Sequence, residues 1–139
     1  MNANINLLDI NSIAFYNMGG FNPDYRKHCE NAVKIRNKVD TVYNIPLFPT
    51  VSIGWDDTPR FPAKGREHAT CMNQSPEVFA EYLAIAKEYA DQHAQQQPKF
   101  IMINAWNEWT EGMALIPDET YGTGYLDTIK KITDDMKGH

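Results

Sequence analysis

The sequence is poor in cysteine, in basic clusters and in long apolar runs, and each shortage excludes a class of protein. Its 139 residues include two cysteines and carry a formal charge of -5. Lysine and arginine nowhere form the positive cluster that nucleic acids bind, so we predict no nucleic-acid partner. Apolar runs all fall short of the ~18 residues that a membrane-spanning helix needs, which excludes a membrane span.

The beginning of the chain lacks the marks of a secretory leader. Residues 1–10 are polar and acidic, with neither a basic start nor an apolar centre. A signal peptide requires both features. For the chain as given, this composition predicts a cytoplasmic location.

Cysteine and histidine do not form a metal-binding pattern. Cys29 and Cys71 stand far apart, and neither has a second cysteine or a histidine at ligand spacing. We therefore expect two reduced thiols that are buried or half-buried, with no metal site and no cofactor.

Three apolar segments are predicted to be strands of a parallel sheet. They are rich in β-forming residues and cover residues 12–16, 47–53 and 99–105. The third is a nearly continuous apolar run, the pattern of a strand that is covered on both faces.

Each predicted strand is followed by a predicted helix. Apolar side chains recur about every 3.6 residues in these segments, which cover residues 23–43, 75–94 and 125–136. Asn22-Pro23 and Ser75-Pro76 are typical helix starts, with a capping side chain before proline. Strand and helix alternate three times, so the sequence predicts an α/β fold of parallel βα units in a single domain, residues 1–139.

Two long loops follow the second and third predicted strands, over residues 54–74 and 106–124. Both lie at carboxyl ends of strands, where α/β barrels and open α/β sheets keep their active sites. We therefore expect the functional residues in these loops.

The later loop opens with two acids beside two indoles, Trp106-Asn107-Glu108-Trp109-Thr110-Glu111-Gly112. Glycoside cleavage needs one carboxyl group to donate a proton and a second one to act as base or nucleophile. Glu108 and Glu111 are therefore the candidate catalytic residues, and Trp106, Asn107 and Trp109 are candidate sugar contacts. The alternative is a solvated acidic pair at a helix start.

The earlier loop begins Gly54-Trp55-Asp56-Asp57-Thr58-Pro59-Arg60. Aspartate and arginine bind hydroxyl groups well, so Trp55, Asp57 and Arg60 are candidate substrate contacts. The alternative is an Asx-turn with a local ion pair. Tyr16, at the end of the first predicted strand, is a weaker candidate, with a core tyrosine as the alternative.

These motifs resemble a known family. Residues 107–112, 115–118 and 121–126 resemble the closing motif of WbsX-type proteins, and residues 49–52 and 54–60 resemble their preceding strand-end motif. Those proteins are barrels from polysaccharide and lipopolysaccharide biosynthesis loci and are named as glycosyltransferases. They are similar in turn to glycoside hydrolase family 99, the endo-α-mannosidases. The resemblance implies a carbohydrate substrate and the C-terminal part of a TIM (β/α)8-type barrel.

The resemblance also implies roles for single residues. Glu111 matches the general acid and base of the hydrolases. Glu108 matches the carboxylate that deprotonates the sugar 2-hydroxyl, which gives a 1,2-anhydro-sugar intermediate and overall retention. The family usually has glutamate where this chain has Ile116, so one polar contact of that loop is expected to be missing.

A complete barrel takes ~250 residues, so this chain is expected to supply about three of eight units. It would then need a missing N-terminal barrel portion or self-association. Three functions stay open: a retaining glycoside hydrolase acting on α-linked polysaccharide, a glycosyltransferase of surface-polysaccharide assembly, and a non-catalytic carbohydrate-binding fragment.

Overall fold

A computed structural model describes residues 23–61 and 70–137 of the chain. The predicted first strand, residues 12–16, lies outside the described residues, as does Tyr16. The described ranges contain three α-helices, four short strands and one 3-10 turn, in the order α1 (Tyr25–Val42), β1 (Thr50–Ser52), α2 (Pro76–Gln92), β2 (Met102–Asn104), β3 (Asn107–Glu108), the 3-10 turn (Trp109–Glu111), β4 (Met113–Ala114) and α3 (Gly124–Lys137).

Two of the helices begin at a capping side chain. Ser75 caps α2, where its hydroxyl accepts from the Val78 amide at 3.4 Å and Pro76 takes the first helical position. The predicted start of α1 at Asn22-Pro23 is displaced, because Asp24 is its cap. The Asp24 carboxylate accepts from the Arg26 amide at 3.0 Å, so the helix begins after Asp24.

The parallel sheet consists of β1 and β2, which are joined through α2. Thr50, Val51 and Ser52 pair in parallel with Met102, Ile103 and Asn104. This pairing confirms the predicted parallel arrangement, although both strands are shorter than predicted. Pro49 ends the ladder on one side, because proline has no amide hydrogen to donate.

One face of this strand pair is covered by helices. Phe79 of α2 is fully buried and lies edge-on to Tyr125 of α3, with 5.4 Å between the ring centroids. Val51 and Ile53 are buried in the same cluster. From α1, the Tyr25 hydroxyl reaches this cluster and donates to the Ser52 carbonyl oxygen at 2.5 Å. The core therefore lies between the helices and β1.

The other face of the strand pair is open within the described residues. Phe100 and Met102 are 59% and 57% exposed, and Phe48 lies 5.7 Å from Phe100, centroid to centroid. The prediction that this segment is covered on both faces is therefore not met by residues 23–61 and 70–137, whose helices pack on one side.

The predicted long loop after β2 contains more structure than expected. Asn107 and Glu108 pair antiparallel with Ala114 and Met113 across the 3-10 turn. Two-residue strands are too short to show any alternation of apolar residues, which is why the sequence did not indicate them. None of the helices in the described ranges is long and apolar enough to cross a membrane.

Candidate functional site

The loops that follow β1 and β2 lie side by side. The Asp56 amide donates to the Glu111 carbonyl oxygen at 2.8 Å, so the backbones of the two loops are in direct contact. Gly112 makes this approach possible. It has φ of 60°, and a Cβ atom at this position would lie 2.8 Å from the Asp56 Cβ. A glycine is therefore required by both conformation and space.

Arg60 bridges the two candidate catalytic acids. Its Nη1 lies 2.5 Å from Glu111 Oε1, and its Nη2 lies 3.3 Å from Glu108 Oε1. Arg60 precedes Glu108 by 48 positions and Glu111 by 51 positions in the sequence, so the fold brings the guanidinium group to both acids. The planar group with its several donors can hold both carboxylates in one orientation, which a lysine could not do.

Thr110 belongs to the same cluster and was missed in the sequence. Its hydroxyl donates to Glu108 Oε1 at 2.5 Å and accepts from Arg60 Nη2 at 2.9 Å. The available signal was its position between the two glutamates, but the 3-10 turn that directs all three side chains to Arg60 was not predicted.

The two acids differ in their access to solvent. The Glu111 side chain is 15% exposed and the Glu108 side chain is 41% exposed. Trp106 and Trp109, which flank Glu108, are both exposed. Exposed indoles beside carboxylates offer a ligand an apolar surface next to strong hydrogen-bond acceptors.

The other predicted contacts lie around this cluster in different environments. Trp55 is half-buried and packs against the core. The Asp57 carbonyl oxygen accepts from the Arg60 amide at 3.1 Å and so forms the turn that brings Arg60 back toward the acids. Asn107 is exposed at the start of β3.

The two thiols are both buried and do not form a disulfide. Burial raises the pKa of Cys29 to about 12 and the pKa of Cys71 to about 11, so both groups stay protonated near neutral pH. The described part of the chain contains no group of three or more histidine, cysteine, aspartate or glutamate residues that could hold a metal ion.

Comparisons with known proteins match the chain to a family model and to curated relatives. Residues 2–129 match the family model described as "Glycosyltransferase WbsX". Two curated relatives from two strains of Xanthomonas campestris pv. campestris, both called "Uncharacterized protein WxcX", are 36% identical over 85 residues. The match covers 61% of this chain and 12% of each relative, so the chain spans a small part of their length. No solved structure matches the chain.

Proposed function

The chain belongs to the WbsX glycosyltransferase family, and on that premise we propose that it supplies the two carboxylates of an active site that cleaves α-linked polysaccharide with retention. A carbohydrate-related function follows from the family. The finer proposal rests on one observation: Glu108 and Glu111 are bridged by Arg60 beside two exposed indoles.

Each acid has a distinct task in the proposed reaction. Glu111 gives its proton to the glycosidic oxygen as the bond from that oxygen to the anomeric carbon breaks. Glu108 takes the proton of the sugar 2-hydroxyl, whose oxygen then bonds to the anomeric carbon. Glu111 next deprotonates a water molecule that opens the three-membered ring, and Glu108 returns its proton to the 2-oxygen. Two inversions give net retention.

Arg60 and Thr110 are proposed to be positioning residues for these steps. Arg60 contacts both carboxylates, and Thr110 donates to Glu108. Side chains held in this way need little rearrangement before reaction. Arg60→Lys should therefore lower turnover more than it lowers affinity.

We propose a (β/α)8-type barrel for the whole fold. The β1–α2–β2 unit has parallel strands, and the candidate site lies in loops at their carboxyl ends, as in such barrels. A barrel takes ~250 residues, so further strands are proposed to come from an N-terminal portion or from a second copy. The exposed Phe100 and Met102 support this proposal, because they form an apolar surface that more strands could cover.

A glycosyltransferase of lipopolysaccharide or surface-polysaccharide assembly is the second candidate, and the family's description favours it. The same two acids would then pass the glycosyl group to a sugar hydroxyl in place of water. A non-catalytic carbohydrate-binding fragment is the third candidate. Adding acceptor sugars to the assay separates the first two by their main product, because a transferase gives mainly longer glycans and a hydrolase gives mainly free reducing sugar.

The test is the rate at which a full-length protein that contains this chain cleaves an α-linked mannan. Glu111→Gln should lower turnover by about 10²–10⁴-fold, the range for loss of a general acid. Binding should survive, because the amide keeps the shape of the acid. Glu108→Gln should be comparably damaging, and a 2-deoxy substrate should not be cleaved.

Glu88→Gln is the matched control, since Glu88 is exposed on α2 and lies outside the cluster. Full activity of Glu111→Gln would remove the catalytic assignment. Normal turnover of the 2-deoxy substrate would exclude the anhydro-sugar route. The isolated chain should show little or no turnover, because the proposed pocket is completed by other strand ends.

A further inference from the structure

A cavity of about 220 Å³ is lined by residues of the 3-10 turn and of the loop leading to α3. Trp109 lines this cavity and also stands between the two candidate acids in the sequence. From its lining we propose that the cavity binds one neutral sugar ring, as a subsite adjoining the Glu108–Glu111 pair. This inference rests on the proposed function, because the ring would belong to the glycan that Glu108 and Glu111 are proposed to cleave.

The size of the cavity favours a single ring. Pockets that take drug-sized ligands measure roughly 300–1,000 Å³, and this one is smaller, at about 220 Å³. A disaccharide or a nucleotide would extend well beyond it. One ring would fill it while its neighbour in a chain lay over the acids.

The lining has the two surfaces that a sugar ring requires. Ile53 and Tyr125 are buried and supply apolar depth, while Trp109 and Tyr121 are exposed aromatic groups at its sides. Apolar C–H faces of a sugar can pack against such rings. A purely apolar ligand would leave the polar side of the cavity unused.

The polar side consists of Asp118, Thr120 and Gln74. Asp118 uses one carboxylate oxygen, Oδ1, to accept from the Thr120 and Tyr121 amides at 2.7 Å and 2.6 Å. This holds the side chain in place, and Oδ2, which has no hydrogen-bond partner among the described residues, can accept from a ligand hydroxyl.

Gln74 adds a second polar group at a fixed position. Its Oε1 is buried and has no hydrogen-bond partner among the residues that the structure describes. The side chain packs against Gly54, where an added Cβ would overlap the amide group. Tyr121 fixes the backbone of the same residue by donating to its carbonyl oxygen at 2.8 Å. Gln74 therefore contributes a side chain of fixed position to the polar wall of the cavity.

The charge of the lining selects against anionic sugars. Asp118 is acidic, and no lysine or arginine is among the described residues that line the cavity. A uronic acid or a sugar phosphate would meet a like charge without a compensating cation. A hydroxyl-rich, uncharged ring is the ligand class that fits.

The proposal is tested by NMR titration of the 15N-labelled chain with methyl α-D-mannopyranoside and, separately, with D-glucuronate. The indole N–H signals of the three tryptophans are followed, and Trp109→Phe assigns one of them. We expect the Trp109 signal to shift saturably with the mannoside, with a Kd on the order of 1 mM, and to respond at least tenfold more weakly to glucuronate, by the electrostatic argument above.

Two variants locate the binding. Asp118→Asn keeps the oxygen that accepts the two amides but replaces Oδ2 by a donor, and it should weaken mannoside binding about tenfold. Gln74→Met keeps the shape and removes the amide, with a similar expected loss. Glu119→Gln is the matched control, because Glu119 is an exposed acid in the same loop that does not line the cavity.

Failure of this proposal and failure of the catalytic proposal give different results. Glu111→Gln should bind the mannoside like the unsubstituted chain, whatever its turnover. If neither sugar shifts Trp109, if glucuronate binds equally well, or if the Asp118 and Gln74 variants bind normally, the subsite is overturned. If the catalytic assignment fails while these variants still lose binding, the subsite stands without it.

Discussion

The two faces of the β1–β2 strand pair are built from similar residues but have different surroundings. On one face Val51 and Ile53 are buried under α2 and α3, whereas on the other Phe100 and Met102 are largely exposed. A βαβ unit covers one face with its own crossover helix and has nothing left for the other. An apolar pattern on both faces of such a strand therefore indicates that further elements, outside the βαβ unit, cover the second face.

The largest expected effect comes from the covered face. Phe79 is fully buried beneath α3, so Phe79→Ala should lower the free energy of unfolding by about 3–5 kcal/mol, through lost burial and a residual cavity. Urea denaturation followed by circular dichroism measures it. A loss below about 1 kcal/mol would show that this face is not the core, and the comparison would fail.

The free energy of unfolding should also respond to alkaline pH, because both thiols are buried. Burial raises the pKa of Cys29 and Cys71 from an ordinary 9.0 to about 12 and about 11. Above pH 9.0 the unfolded thiols lose their protons while the folded ones keep them. The contribution of the two buried thiols to the free energy of unfolding is therefore fully present below pH 9.0. It is lost as the pH rises through the folded pKa values.

The expected loss is on the order of 1 kcal/mol per thiol at about pH 10, relative to about pH 8. Urea denaturation at the two pH values measures it. The double variant Cys29→Ala, Cys71→Ala should lose the part of this dependence that the thiols cause, and the rest belongs to buried tyrosines such as Tyr25 and Tyr125, whose pKa values burial also raises. An equal dependence in that variant would assign the alkaline loss to other groups.

The helix that covers the sheet should depend moderately on its cap. Ser75→Ala removes the hydroxyl that accepts from the Val78 amide and should cost about 1 kcal/mol. Ser75→Asp should restore most of this stability, because aspartate also caps well. Thermal denaturation of the three proteins checks the order, and equal melting temperatures for Ser75→Ala and the unsubstituted chain would contradict it.

The smallest effect is expected on the open face. Met102 is 57% exposed, so Met102→Thr should change the free energy of unfolding by less than about 0.5 kcal/mol. Urea denaturation across a range of protein concentrations checks this. A loss of about 2 kcal/mol would mean that the face is covered, and its dependence on concentration would identify a second copy as the cover.

The helices and the parallel pairing were predictable because their signals are long. The apolar stripe of α2 repeats over several turns, and Ser75-Pro76 marks its start without ambiguity. By contrast, β3 and β4 have two residues each and depend on the left-handed Gly112 between them. No periodicity exists at that length, and the turn is set by tertiary contact with Asp56. Residues 12–16 lie outside the described ranges, so that predicted strand stays a prediction.

For the candidate site, the sequence indicated the loops better than it indicated the contacts. Parallel strands bring successive loops together at one edge, which was reason enough to expect Arg60 near Glu108 and Glu111. The role of Thr110 and the cavity beside Trp109 depend on the direction of side chains in a short 3-10 turn. Residue type alone does not determine that direction, because in an α-helix the side chains of the same segment would point in other directions.

The register between β1 and β2 has a consequence for the order of folding. Thr50 pairs with Met102, so the ladder can form only after a loop of about 50 residues has closed and brought β2 beside β1. The turns of α2, in contrast, join residues four apart and can form within about a microsecond. The helix should therefore be in place before the strands meet, and the loops that carry Arg60 and the two glutamates should come together last.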